Sequence, residues 1–167
     1  MSLLERRLAE QGYGYRVVNA SVSGETTAGA LERLPHLLAL HRPQLLIVEL
    51  GANDGLRGLP VAAMRANLER LVSLAQTAGA RVLLVGMRLP NNYGPRYGEE
   101  FHASFAQVAG ARHIALVPFL LERIALDENS FQADRLHPRA SAQGALLETV
   151  WPALAPLLRP DAPRAAR

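Results

Sequence analysis

The sequence predicts an α/β fold, a three-layer α/β/α arrangement around a parallel sheet. Four short apolar runs rich in β-branched residues or leucine read as strands: Tyr15–Val22, Leu45–Leu50, Val82–Met87 and Ile114–Phe119. Segments of helical period separate them, at Thr27–Leu40, Pro60–Ala78, Tyr97–Ala109 and Pro138–Leu158. The strands are almost continuously apolar, as parallel strands covered on both faces must be.

Each element has a local reason. The chain opens on an amphipathic helix in which Leu3, Leu4 and Leu8 share a face and Gly12 and Gly14 stop it. Thr26 and Thr27 stand where a helix N-cap is wanted. "AGAR" at 78–81 and again at 109–112 reads both times as a helix C-cap. Pro138 suits a first helical turn, and Pro152 kinks or ends the last helix. Residues 1–158 read as one domain, followed by a flexible Pro/Ala/Arg tail at 159–167.

Composition narrows the function. The chain has 167 residues, no Cys and a formal charge of +3. Disulfides, thiolate metal sites and a Cys nucleophile are therefore excluded. All 18 basic residues are Arg, scattered and not interleaved with the few aromatics, so no nucleic-acid surface is expected. No apolar run reaches the length of a membrane span, and stable membrane insertion is not expected. The N-terminus lacks the charged-then-apolar layout of a signal peptide. The five His show no metal-ligand spacing, and there is no P-loop or G-x-G-x-x-G.

In open α/β sheets ligands bind beyond the carboxyl ends of the strands, so the loops after the strands carry the chemistry. "SVSGETTAG" offers a turn and cap, or a Gly24 amide facing a cleft as an oxyanion donor. "ELGANDGLRG" offers a plain Gly/Asn/Asp turn, or an Asn53 amide that donates to an oxyanion while Asp54 braces the loop. "DRLHP" offers a surface loop, or a carboxylate at Asp134 that accepts from His137 Nδ1–H and leaves Nε2 as a base. Tyr93, Tyr97, Phe101 and Phe105 read as helix packing, with an acyl-pocket lining as the alternative.

These loops, taken in order, resemble the SGNH (GDSL-type) hydrolases, in particular the thioesterase I / lysophospholipase / arylesterase group. "NASVSGETTAG" is similar to that group's Gly-bearing second block, "GANDGLRG" to its G-x-N-D block and "DRLHP" to its terminal D-x-x-H block. "RLPNNYGPRY" resembles the loop after the family's fourth strand. The likeness runs from about residue 2 to residue 158. It implies a flavodoxin-like sheet and hydrolysis of small carboxylic esters or thioesters, with no cofactor and no metal. It also implies Gly24 and Asn53 as oxyanion donors, His137 as general base and Asp134 as its orienter. The oligomeric state and the cellular location stay open.

The family's first block, a strand followed by G-D-S, has no counterpart here. The seven Ser are Ser2, Ser21, Ser23, Ser73, Ser104, Ser130 and Ser141, none of them in G-D-S or G-x-S-x-G. Ser23 is the residual candidate nucleophile. The expectation is a chain truncated at its N-terminus, impaired or inactive as a hydrolase. The alternative is a non-catalytic fragment or acyl-binding module. The family's first strand is central, in spatial order 2-1-3-4-5. The Tyr15–Val22 and Leu45–Leu50 strands must then pair directly or flank a gap, and lower stability than the intact domain is expected.

Overall fold

The computed structural model describes residues 3–159. Ser2 and, of the tail expected at 159–167, all but Arg159 lie outside the described residues. In chain order the elements are α1 (Leu3–Glu10), α2 (Thr27–His41), β1 (Leu45–Glu49), α3 (Ala52–Leu56), α4 (Val61–Thr77), β2 (Arg81–Val85), α5 (Pro95–Arg112), β3 (Ala115–Val117) and α6 (Gln143–Leu154). The chain divides into two compact units. One comprises Met1–Asn19 with Leu121–Arg167, the other Ala20–Leu120.

The unit Ala20–Leu120 holds the sheet, which is parallel with order β1-β2-β3. Leu45 pairs with Arg81 and Glu49 with Val85, and Leu83 pairs with Ala115. β2 is buried on both faces: Val82 and Leu84 point one way, Leu83 and Val85 the other, and all four are buried. Helices α2, α4 and α5 supply the covering layer. Ala30, Leu34 and Leu38 of α2 join Met64, Leu68, Leu71, Val72 and Ala75 of α4 in one core with Phe101, Phe105 and Val108 of α5. Their spacing of three and four residues keeps each set on one face of its helix.

The caps follow the sequence at two places and depart from it at a third. Thr26 is the N-cap of α2 and accepts from Gly29 N–H at 3.3 Å. Gly79, at φ +83°, turns the chain out of α4, and Ala80 N–H returns to Ala75 O at 3.0 Å. The second "AGAR" is not a cap. α5 runs through it to Arg112, and His113 takes the left-handed position at φ 52°. Gly110 therefore sits inside the helix.

The expected strand at Tyr15–Val22 does not form. Residues 13–22 are neither helix nor strand, and among the described residues β1 pairs with β2 alone. A strand needs a ladder partner, and of the two outcomes expected, direct pairing of this segment with Leu45–Leu50 does not occur. Of the apolar side chains that suggested a strand, Val18 is 41% and Val22 50% exposed.

In the other unit α1 packs against α6. Leu8 is buried, Arg7 pairs with Glu148, and its guanidinium lies 5.2 Å from the centre of the Trp151 ring. The last helix starts later than its Pro suggests. Pro138 sits in an isolated antiparallel bridge with Phe131, and α6 begins at Gln143 after a single 3-10 turn. The local pairing around the Asp134–His137 turn takes Pro138 out of the helix. Pro152 lies inside α6, which ends two residues later at Leu154. No helix among the described residues is long and apolar enough to cross a membrane.

Gly86, just past β2, allows a close backbone approach to the segment Val117–Pro118. A Cβ there would lie 2.4 Å from Pro118 O and 3.1 Å from Val117 O, and neither is a side chain that can swing away. Gly86→Ala is expected to cost at least about 1–3 kcal/mol in chemical denaturation. Gly98→Ala in α5 meets open space and is expected to gain up to about 1 kcal/mol.

Candidate active site

The unit Ala20–Leu120 brings the Gly24 turn and the Asn53 helix together. Val22–Glu25 is a β-turn closed by Glu25 N–H to Val22 O at 3.3 Å, with Gly24 at φ +75° in its third position. A type II turn demands that sign of φ there, which is why glycine stands at 24. The turn's own hydrogen bond leaves the Ser23–Gly24 peptide out of it. Asn53 donates one amide proton to Glu25 O at 3.0 Å, and Arg57 donates through Nη2 to Gly24 O at 2.9 Å. An amide has two such protons, so the bond to Glu25 O leaves Asn53 a second one.

Asp54 braces this arrangement from inside. It is 3% exposed and accepts from Thr27 N–H at 2.9 Å and from Thr27 Oγ1–H at 2.6 Å. Asn67 of α4 donates to the same Thr27 hydroxyl oxygen at 3.1 Å. The carboxylate thus sits on the first turn of α2, where the helix dipole favours a negative charge. Gly51 opens α3 at φ +105°, and a Cβ there would lie 3.0 Å from Met64 Sδ.

The four aromatic residues divide between two tasks. Phe101 and Phe105 are fully buried and meet edge to face at 5.3 Å. Tyr93 and Tyr97 instead reach back to the segment after α3. Tyr93 donates to Leu56 O at 2.9 Å and Tyr97 to Leu59 O at 2.7 Å. Desolvation, with the nearby Asp54 charge, pushes the Tyr97 hydroxyl up from its ordinary pKa. The same two rings, with Arg96 and Glu100, line an open recess of about 440 Å³.

The second pair lies in the other unit. Asp134 Oδ1 accepts from Leu136 N–H and His137 N–H, each at 3.0 Å, and Oδ2 lies 2.7 Å from His137 Nδ1. The His137 and Leu136 amides, then the imidazole, lower the Asp134 pKa from 3.8 to about 2. An ionised carboxylate only accepts, so Nδ1 must carry the proton. In the neutral ring Nε2 therefore holds the free lone pair. Arg135 makes the turn possible with a left-handed φ of 56°. Gln132 N–H to His137 O at 2.8 Å and Arg139 N–H to Ser130 O at 2.8 Å close the loop around it. The His137 side chain is 71% exposed. An exposed pair of this kind contributes little to stability, and what it fixes is the tautomer.

Residues 1–145 match the GDSL-like Lipase/Acylhydrolase family. The chain belongs to this family. It is similar to the esterase TesA of Pseudomonas aeruginosa, with 52% identity over 158 residues, covering 95% of this chain and 79% of that protein. It is also similar to thioesterase 1/protease 1/lysophospholipase L1 of Escherichia coli K12, with 40% identity over 87% of this chain and 70% of that protein. The crystal structure of TesA superposes with a TM-score of 0.91 at 53% identity, covering 93% of this chain and 87% of that one. The fold is thus the family's α/β fold, a parallel sheet flanked by helices.

Measured against the sequence, Ser23 stands exposed in the second position of the Gly24 turn. Asp54 braces the loop as expected. Arg57, Thr27 and Asn67 were not singled out for this role. Their partners are main-chain carbonyls or a residue tens of positions away, and no local pattern marks such contacts. Among the described residues no group of three or more His, Asp or Glu is arranged to hold a metal ion.

Asp54→Ala would strand the buried Thr27 N–H and hydroxyl, and is expected to cost about 3 kcal/mol in denaturant titration. The pH dependence of the Asp134 turn has a definite sign. Its carboxylate has a lowered pKa, so the turn is fully held above 3.8 and released as pH falls through about 2. The Leu136 and His137 amide resonances should titrate with a midpoint near the lower value; a midpoint at 3.8 would remove the hydrogen bonds from the account.

Proposed function

We propose that this chain carries the base and oxyanion parts of a carboxylic-ester hydrolase that works through an acyl–serine. The observation that carries the reading is His137 Nδ1 bound at 2.7 Å to an ionised Asp134, which leaves Nε2 as the basic nitrogen. Family membership and the esterase and thioesterase names of the relatives support the substrate class, small acyl esters or thioesters.

His137 Nε2 takes the proton of a serine hydroxyl as Oγ attacks the acyl carbonyl. The carbonyl oxygen gains the negative charge and accepts from Gly24 N–H and the second Asn53 amide proton. Collapse breaks the bond to the alcohol or thiol, which leaves with the proton held by His137. Water then gives a proton to His137 and attacks the acyl carbon, and the released Oγ recovers that proton. Asp134 stays ionised throughout and holds the imidazole.

The nucleophile is the weak part. Ser23 is the chain's one serine in the Gly24 turn, and its place corresponds to the second block rather than to G-D-S. Turnover by this chain is therefore expected to be strongly impaired. Losing the nucleophile in such enzymes removes several orders of magnitude but leaves some oxyanion-hole catalysis. The rival reading, an acyl-binding module without catalysis, draws on the same missing G-D-S.

A short-chain p-nitrophenyl ester and a fluorophosphonate probe test the reading. Expected are slow hydrolysis above the uncatalysed rate and no labelled serine. Asn53→Ala should lower that hydrolysis by about 10²–10³-fold, whereas His137→Ala should change it little, because the residual rate comes from the oxyanion donors. No hydrolysis at all would favour the binding module. Probe labelling of Ser23 that His137→Ala abolishes would overturn the statement that no efficient nucleophile is present.

A further inference from the structure

The Gly24 turn is gripped at two successive carbonyls by one short segment. Asn53 holds Glu25 O at 3.0 Å, and Arg57, four residues on, holds Gly24 O at 2.9 Å. Arg57 is the C-cap of α3, and its own N–H returns to Asn53 O and Gly55 O. Its main chain is therefore fixed to the residue whose side chain it assists. Its guanidinium is exposed, and among the described residues it is paired with no carboxylate. A surface Arg with no ion pair ordinarily stays in water. This one makes a charge-assisted hydrogen bond to a main-chain oxygen instead.

We propose that Arg57 is a positioning residue: it locks the Gly24 turn to α3 so that the Gly24 N–H and the Asn53 amide keep a fixed separation as one oxyanion-binding pair. The inference rests on the oxyanion reading given above. Glycine at 24 makes the lock necessary. The residue that permits φ +75° also permits the opposite sign, so the Ser23–Gly24 peptide can rotate unless the turn is held from outside. Asn53 holds the turn at Glu25 O, and Arg33 joins the Glu25 carboxylate to Ala20 O, but only Arg57 holds the Gly24 carbonyl among the hydrogen bonds of the described residues. With Arg57 in place, one Asn53 proton suffices for the clamp. Tyr93 and Tyr97 hold the Leu56 and Leu59 carbonyls on either side of Arg57, so the clamp itself has a firm base.

The test compares the full chain with Arg57→Ala and Arg57→Lys. The first readout is ¹⁵N relaxation and amide exchange at Gly24. Arg57→Ala should leave the spectrum folded and make Gly24 mobile; Arg57→Lys, which restores one charged donor, should recover part of the rigidity. A Gly24 as rigid in Arg57→Ala as in the parent overturns the proposal. The second readout is hydrolysis of p-nitrophenyl butyrate. Where the parent turns over, Arg57→Ala should lower kcat about 10- to 100-fold with KM nearly unchanged, and an unchanged kcat overturns the positioning role. A parent without turnover defeats the hydrolase reading alone, because the relaxation measurement still decides whether Arg57 holds the turn.

Discussion

The buried Asp54 carboxylate is the contact on which the Gly24–Asn53 arrangement depends. Burying a charge is costly unless it is paired or hydrogen-bonded. Here the answers are the first amide of α2 and a hydroxyl that Asn67 holds in turn. The interaction ties the loop after β1 to the start of α2 across 27 residues of chain. Successive residues in a helix point about 100° apart. With Asp54 turned into the core, Asn53 is turned toward the Gly24 turn, where it finds Glu25 O. One buried residue thus aims its neighbour.

The Asp134–His137 pair is built on the opposite plan. It needs four consecutive residues and no core. One carboxylate oxygen is spent on two main-chain amides, and the other is reserved for the imidazole. The amides lower the Asp134 pKa and keep the group ionised, and the ionised group decides which ring nitrogen is protonated. The core holds Asp54 and its partners, whereas the Asp134–His137 pair stands on an exposed, hydrogen-bonded turn.

Much of this was legible in the sequence. The strands at Leu45–Leu50, Val82–Met87 and Ile114–Phe119 were readable because the runs are almost continuously apolar, although only β2 is buried along most of its length. The D-x-x-H turn was readable because its hydrogen bonds are local. The strand expected at Tyr15–Val22 failed because strand formation is a property of pairs, and the run alone carries no partner. Pro138 misled because a bridge to Phe131 outweighed its preference for a first helical turn. The second "AGAR" misled because the helix runs on through Gly110 to Arg112, and His113 takes the left-handed cap. Arg57 and Asn67 stayed hidden because their partners are far away in sequence.

The central claim is that Asp54 and the residues around it hold Gly24 N–H and the Asn53 amide ready for one oxygen. A crystal structure with butyrate, the acid product of a short acyl ester, tests it most directly. The account predicts one carboxylate oxygen at about 2.7–3.1 Å from both Gly24 N and Asn53 Nδ2, with the Asn53–Glu25 and Arg57–Gly24 hydrogen bonds intact. A bound carboxylate that meets neither donor, or that is reached only after Asn53 leaves Glu25 O, would contradict it.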